Sequence, residues 1–122
     1  MTSRRPHSVY GVGEEPDARF SLANERTALA WLRTSLGIVA AGVGLALLES
    51  ADPAWGRVRW LAGLVCVLGG VMAVASVVRW MNVERAVRQR DPLPAPSALF
   101  LVAATVLVVG LVIAALVLTT SL

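Results

Sequence analysis

Lysine is absent from this chain of 122 residues, and cysteine and histidine occur once each. A single cysteine, Cys66, excludes a disulfide framework or a thiolate metal site built within one chain. His7, the one histidine, lies in a polar N-terminal segment that offers no second metal ligand. We therefore expect both residues to be incidental to function.

Catalytic machinery is also missing. An active site needs a nucleophile, a metal or an acid–base pair beside a substrate cleft. The eight acidic residues are scattered along the chain and form no such set with the lone cysteine and histidine. The sequence predicts that the protein is not an enzyme, and that it uses no metal, no cofactor and no nucleic-acid partner.

Charge is absent from three long stretches, residues 34–48, 60–78 and 97–122. The second and third approach or exceed the roughly 20 apolar residues that a helix needs to cross a bilayer. The first reaches that length if its helix begins near Ala28 and Arg33 snorkels toward the interface. The sequence predicts an all-α integral membrane protein with three transmembrane helices, at about residues 18–49, 57–90 and 97–120, the first preceded by an amphipathic, arginine-rich segment.

The segment before the first span differs in composition. Residues 1–16 hold few large apolar side chains and several helix breakers: Pro6, Gly11, Gly13 and Pro16. This composition predicts a flexible cytoplasmic tail, followed by a membrane domain over residues 17–122. No apolar core follows Arg4 and Arg5 at once, so we expect no signal peptide and a first span that is retained.

Local sequence signals mark the start of the first helix and the end of the second. Either Asp17 or Ser21 is placed to cap the first helix. The second helix is expected to continue past the bilayer to about Arg90. There Glu84 and Arg88 have the spacing of an i,i+4 ion pair, worth about 0.3 kcal/mol at a wet surface.

Arginine counts predict the orientation of the spans. Five arginines precede or begin the first span, four follow the second, two lie in the loop between these spans, and none follows the third. Because arginine is enriched on the cytoplasmic side of membrane proteins, both dense clusters should lie there. The sequence predicts a multi-pass protein of a bacterial inner membrane with a cytoplasmic N-terminus and an external C-terminus (N-in, C-out).

Three of these arginines form a regular pattern. Arg19, Arg26 and Arg33, hereafter the arginine stripe, recur every seven residues and so share one face of a helix. Small residues continue along the same face into the apolar part: Gly37, Ala41 and Gly44. Small residues allow close helix packing in membranes, and three spans alone enclose little interior, so we expect a homo-oligomer.

The arginine stripe has two interpretations. In the first, it lines a cytoplasmic vestibule shared by several subunits, where rings of positive charge select anions. In the second, it holds a non-conducting module on anionic lipids, each arginine contributing about 1 kcal/mol, or recruits a partner protein. Guanidinium groups suit bidentate binding of phosphate, although an arginine-rich genome would give the same composition. We favour a channel or conduit for phosphate-rich anions such as polyphosphate and keep the interaction module as the alternative.

A longer motif surrounds the arginine stripe. Residues 20–34, FSLANERTALAWLRT, resemble the hallmark Ala-Asn-Glu-Arg-Thr-x-Leu-Ala-Trp-x-Arg-Thr of the YidH-like family, called domain of unknown function 202. Residues 40–45 and the pair Arg79-Trp80 are similar to that family as well. The resemblance extends from about residue 13 to the end and implies a three-span protein of the bacterial inner membrane.

The resemblance also implies a set of site residues. A related domain forms the membrane part of the eukaryotic vacuolar transporter chaperone, a polyphosphate polymerase whose subunits surround a channel with basic residues at its cytoplasmic entrance. By position, Arg19 and Arg26 match those basic residues and Glu25 matches the acid beside them. The basic residue after the second span corresponds to Arg85 or Arg88. The expected anion-binding or pore-lining set is therefore Arg19, Glu25, Arg26, Arg33, Arg85 and Arg88.

Overall fold

A computed structural model describes residues 4–120, and within that range its regular structure is entirely helical. The elements are α1 (His7–Tyr10), α2 (Ala18–Ala51), a 3₁₀ turn (Pro53–Trp55), α3 (Val58–Gln89) and α4 (Ser97–Thr120). Helices α2, α3 and α4 are each long and apolar enough to cross a membrane. This confirms the predicted all-α architecture with three spans.

Aspartates mark both ends of α2. Asp17 is the N-cap, and its Oδ1 accepts a hydrogen bond of 3.0 Å from the backbone N–H of Arg19. Asp52 ends the helix, accepts from the N–H of Ala54 at 2.9 Å, and precedes the proline that opens the 3₁₀ turn. Asp17 thus satisfies a backbone N–H at the start of α2, and Asp52 satisfies one at the start of the 3₁₀ turn. This turn makes the connection between α2 and α3 short.

Helices α2 and α3 pack against each other along one seam. The buried residues of α3 follow alternating spacings of four and three: Val58, Ala62, Val65, Gly69, Met72 and Ser76. Facing them, α2 buries Ser35, Ile38, Gly42 and Leu45. Alternating spacings of three and four keep one face of a helix toward its partner, which is how these two long helices bury a shared stripe.

Two glycines allow the backbones of α2 and α3 to approach closely at this seam. A Cβ atom at Gly42 would lie 2.5 Å from Cys66 Sγ and 3.0 Å from the carbonyl oxygen of Ala62. At Gly69, a Cβ would lie 2.5 Å from Val39 Cγ2 and 3.0 Å from the carbonyl oxygen of Ser35. A larger residue at either position would displace the facing side chain and crowd the facing backbone, so the two helices approach through the glycines.

The small residues predicted to pack lie elsewhere on α2. Gly37 and Gly44 are exposed, and no described atom lies within 4 Å of a Cβ placed at either one. Ala41 is half-buried against the core. Gly44 is two residues beyond Gly42, which turns it about 200° around the helix and away from α3. Packing within the chain therefore uses Gly42, and packing of Gly37 and Gly44 between subunits stays a prediction.

Helix α4 packs on only one side. Four of its residues contact the core shared by α2 and α3: Val102, Val109, Ile113 and Leu116. Most other described side chains of α4 are exposed, including Leu101, Leu107 and Leu111. An apolar surface of this kind suits contact with acyl chains, which are as apolar as leucine.

The N-terminal segment departs from the predicted flexible tail. Residues 4–16, hereafter the N-terminal strap, pack against the end of α3; residues 1–3 of the predicted tail lie outside the described residues. Val9 of α1 is fully buried, and the Tyr10 ring centroid lies 6.4 Å from that of Trp80. Residues 4–16 therefore differ from the predicted flexible tail in having these apolar contacts, and the polar ones below, with the rest of the chain.

Candidate functional site

Arg88 fixes the N-terminal strap. Its Nε and Nη2 donate to the carbonyl oxygens of Val12 (3.0 Å) and Tyr10 (3.1 Å), and Nη1 donates to Glu15 Oε2 at 3.3 Å. Only 6% of its side chain is exposed. Buried guanidinium groups are kept where their donors are satisfied, and here the strap satisfies them. The structure thus gives the side chain of Arg88 the role of a structural clamp, and anion binding by Arg88 stays a prediction.

Gly13 lets the strap approach the backbone of the clamp. Its φ of +65° is one that L side chains rarely adopt, and an added Cβ would collide with the carbonyl group of Arg88. The next residue, Glu14, donates its N–H to that same carbonyl at 2.9 Å. Glycine is required here for both reasons, conformation and space.

Ion pairs complete the strap. Arg4 donates to Glu15 Oε2, the oxygen that also accepts from Arg88. The hydrogen bond from Arg4, assisted by the one from Arg88, lowers the pKa of the Glu15 carboxyl. The bond to Glu15 in turn raises the pKa of Arg4. Arg90 and Glu14 pair at 3.2 Å on the surface. Because these pairs are largely exposed, they hold the strap less firmly than Arg88 does.

A polar cluster, Ser21, Asn24 and Glu84, joins α2 to α3 beside the strap. Ser21 Oγ donates to Glu84 Oε1 at 2.7 Å, and Asn24 Nδ2 donates to Glu84 Oε2 at 3.2 Å and to the carbonyl oxygen of Trp80 at 3.1 Å. Glu84 is only 3% exposed. The predicted Glu84–Arg88 pair is thus wrong, since Glu84 binds α2 while Arg88 binds the strap.

Sequence reasoning did not bring these three residues together, although the sequence holds a signal for Asn24. Asn24 precedes Gly42 by 18 residues, which is five full turns, so both lie on the α3-facing side of α2. A polar residue on that side must find a partner within the protein. Asn24 Oδ1, however, is buried and has no hydrogen-bond partner among residues 4–120.

The arginine stripe lies on the other side of α2, hereafter the free face. Arg26 is two residues from buried Asn24 and Arg33 is two residues from buried Ser35, which places each about 200° from the α3 contact. The three stripe arginines are exposed. Within the part of the chain that the structure describes, none of their guanidinium groups has a hydrogen-bond or ion-pair partner. Gly37 and Gly44 lie on the same face.

The remaining predicted site residues separate from the stripe. Glu25 makes no described ion pair with Arg26; it lines a cleft with Ser21 and Glu84. Arg85 lies on another side of α3, in a surface depression with Asn82 and Gln89. The structure therefore brings together the arginine stripe alone and places Glu25, Arg85 and Arg88 in three other environments.

Two adjoining cavities open beside the polar cluster, each with a volume of about 310 Å³. The first, hereafter the acidic cleft, is lined by polar residues that include Arg4, Glu15, Ser21 and Glu84. The second, hereafter the apolar groove, is lined mainly by Ala28, Leu29, Leu32 and Val77. Glu25 and Trp80 line both, so the two cavities lie side by side. Among the described residues, no three histidine, cysteine or acidic side chains are grouped as a metal site would require.

Comparison with known proteins places this arrangement in a family. The family described as "Domain of unknown function (DUF202)" matches residues 19–86, which hold the arginine stripe, the polar cluster and the α2–α3 seam. The inner membrane protein YidH of Escherichia coli is 45% identical over 111 residues, covering 90% of this chain and 96% of YidH. An uncharacterized protein of Mycobacterium tuberculosis is 41% identical over 103 residues, covering 84% of each chain. No solved structure matches at a significant level. The chain therefore belongs to the DUF202 family of membrane proteins.

Proposed function

We propose that this protein is a homo-oligomer of the bacterial inner membrane that binds phosphate-rich anions through the arginine stripe. One observation carries the proposal: three guanidinium groups without a hydrogen-bond or ion-pair partner among residues 4–120 lie on the free face of α2, in line with Gly37 and Gly44. A charge this close to an apolar span is costly unless it faces water, headgroups or another subunit. A shared aqueous vestibule between copies of α2 provides both water and close helix contact.

The proposed membrane orientation places the stripe on the cytoplasmic side. The strap contacts the end of α3, so residues 4–16 and residues 84–90 lie at the same membrane surface. Those two segments and the stripe carry most of the arginines, which favours N-in, C-out. Reporter fusions should place residues 1 and 90 in the cytoplasm, and residues 52 and 122 outside. A cytoplasmic C-terminus would contradict the orientation.

Guanidinium groups in such a vestibule would act together on a polyanion. Each subunit adds one Arg26, and water screens poorly in a confined site, so the rings attract a phosphate chain far more strongly than isolated surface arginines do. The proposed ligands are therefore chains of phosphates such as polyphosphate, and passage of these anions through the vestibule is the conduit function that we propose.

Substitution of Arg26 tests this function. Arg26→Ala should lower polyphosphate binding and anion flux by about tenfold in reconstituted membranes and leave assembly intact, because a charge that faces the vestibule does not hold the helices together. Arg26→Glu should lower both further, since it reverses the charge. Arg59→Ala, which removes an exposed arginine at the opposite end of the helix pair, is the matched control and should change neither. Equal losses in Arg26→Ala and Arg59→Ala would contradict the proposal.

A non-conducting module is the second candidate, and one observation favours it. The Arg79 guanidinium lies 5.3 Å from the ring centroid of Trp31, an arrangement suited to the membrane interface, where tryptophan and arginine are enriched. If the stripe lies at the same level facing headgroups, Arg26→Ala should weaken binding to anionic vesicles slightly. In that case wild type and variant alike would show no anion current and no polyphosphate binding.

A further inference from the structure

The structure assigns a second binding site to the acidic cleft and the apolar groove: we propose that they hold one phospholipid with a primary ammonium headgroup, as in phosphatidylethanolamine. This site lies between α2 and α3, and the arginine stripe lies on the free face of α2. The proposal is therefore independent of anion binding by the stripe.

The shape of the paired cavities suits an amphiphile. The acidic cleft lies beside the strap, at the polar end of the helix pair, and the apolar groove adjoins it between α2 and α3. Glu25 and Trp80 line both cavities and mark where a headgroup would give way to an acyl chain. Ala28, Leu32 and Val77 provide an apolar wall for that chain.

The charges of the cleft favour a cation. Three carboxylates line it, Glu15, Glu25 and Glu84. Glu15 is neutralised by Arg4 and Arg88, whereas Glu25 and Glu84 have no cationic partner among residues 4–120. A buried carboxylate without a cation is costly, and an ammonium group entering the cleft would provide one.

The hydrogen-bond acceptors of Glu84 also favour a cation in the cleft. In the polar cluster, Glu84 brings two acceptor oxygens, but its donors within the described chain are only the Ser21 hydroxyl and the Asn24 amide. Asn24 Oδ1 also has no donor among residues 4–120, but Asn24 lines neither cavity, so Glu84 is the buried acceptor that a ligand in the cleft can reach. A carboxylate can accept about four hydrogen bonds, and a primary ammonium, with three N–H donors, supplies further donors to Glu84. Arg4, which also lines the cleft, is placed to bind the phosphate of such a lipid.

The test is lipid retention by the full-length protein, measured by native mass spectrometry in mild detergent. Three lipids with identical acyl chains are compared: phosphatidylethanolamine, phosphatidylcholine and phosphatidylglycerol. The first should be retained about tenfold over the second, because trimethylation removes every N–H donor but keeps the charge. Equal retention of these two, or a preference for phosphatidylglycerol, would overturn the proposal.

Variants assign the retained lipid to this site. Glu84→Gln and Glu25→Gln should remove the preference for phosphatidylethanolamine over phosphatidylcholine, whereas Glu49→Gln, at the other end of α2, should keep it. Because Glu84→Gln alters a buried cluster, Ala28→Phe provides a second route: it fills the groove and leaves every carboxylate intact. Ala28→Phe should release the lipid, and Ala46→Phe, at an exposed position of the same helix, should not.

Soluble phosphoethanolamine separates a lipid site from a headgroup site. The headgroup alone lacks the groove contacts, so millimolar phosphoethanolamine should leave the retained lipid in place. Displacement by phosphoethanolamine, or unchanged retention in Ala28→Phe, would contradict the role of the apolar groove.

Discussion

The two sides of α2 use the same residue types for different purposes. On the side that faces α3, Gly42 allows backbone contact, and any side chain there would meet Cys66 and Ala62. On the free face, a Cβ at Gly37 or Gly44 meets no described atom within 4 Å. Gly42 and Gly44 are two residues apart, so the angle around the helix, and not the residue type, decides whether a glycine holds the chain together.

The arginines divide in the same way. Arg88 is buried against the strap with three hydrogen bonds, whereas Arg26 on the free face has no described partner. A guanidinium whose donors are satisfied contributes to structure, and one whose donors are free is available for a ligand. This contrast indicates that side chains on the packed side of the helix pair stabilise the fold, and that the free face has room for an external partner.

The largest expected effect is at the packed seam. Gly42→Leu should destabilise the chain by about 3 kcal/mol or prevent folding, because the added side chain collides with the backbone of α3. Gly37→Leu should change the unfolding free energy by less than about 0.5 kcal/mol, since exposed positions tolerate substitution. Unfolding in mixed detergent micelles, followed by circular dichroism, measures both variants. Similar losses of unfolding free energy in the two variants would contradict the distinction between the packed side and the free face.

The next largest effect is at Gly13. Gly13→Ala should detach the strap, because a positive φ costs alanine about 1–2 kcal/mol and its Cβ would also collide with the Arg88 carbonyl. A spin label on Ser8→Cys, in a Cys66→Ala background, should become mobile. Gly56→Ala, at a glycine with φ of −59°, is the matched control and should leave the label unchanged.

The spans and their helical state follow from composition, but the seam between them does not. The uncharged runs predict α2, α3 and α4, because only a helix satisfies the backbone of a long apolar run in a bilayer. Whether Gly42 or Gly44 lies at the seam depends on which face of α2 meets α3, and composition does not give that face. The seven-residue pattern of arginine and glycine identified the free face instead. The four–three spacing from Val58 to Ser76 becomes visible only in the burial pattern, because exposed residues between them, such as Leu64 and Val71, are equally apolar.

The site was predictable only in part for a related reason. The arginine stripe is a repeat within one helix, and such repeats are read directly from the sequence. Arg88, Glu84 and Asn24 instead take partners more than 50 residues away, and sequence spacing says nothing about those partners. The predicted Glu84–Arg88 pair failed because local spacing allows an ion pair but does not exclude better partners in the strap and in α2.

A smaller effect is expected between subunits. If the free face packs against another copy, Gly37→Leu should weaken the oligomer by about tenfold in dissociation constant while the subunit stays folded. Native mass spectrometry in mild detergent measures the distribution of oligomers. Leu36→Ala, at an exposed neighbouring position, should be less disruptive. A wild-type protein that is monomeric under these conditions would exclude a shared vestibule.

The smallest expected effect is the pH dependence of strap mobility, which should follow the ionisation of Glu15. The hydrogen bond from Arg4, with that from Arg88, lowers the pKa of Glu15 below its ordinary value of 4.5. A carboxyl whose pKa is lowered by docking favours the docked strap when it is ionised. That contribution is complete above pH 4.5 and is lost as the pH falls through the lowered pKa. The label on Ser8→Cys should therefore keep the same mobility from neutral pH to pH 4.5 and become slightly more mobile below it.

Glu15→Gln tests whether this one carboxyl is responsible. The amide cannot ionise, so the variant should show the slightly raised mobility at every pH, and the acid-dependent step should disappear. Glu14→Gln removes the neighbouring carboxyl, whose ion-pair partner among residues 4–120 is exposed Arg90, and should keep the step. The step should remain small in the wild type, because Glu15 is 63% exposed and the buried Arg88 keeps its bonds to the carbonyl oxygens of Val12 and Tyr10 at any pH. A complete release of the strap in acid would show that surface ion pairs, and not the buried clamp, hold it to α3.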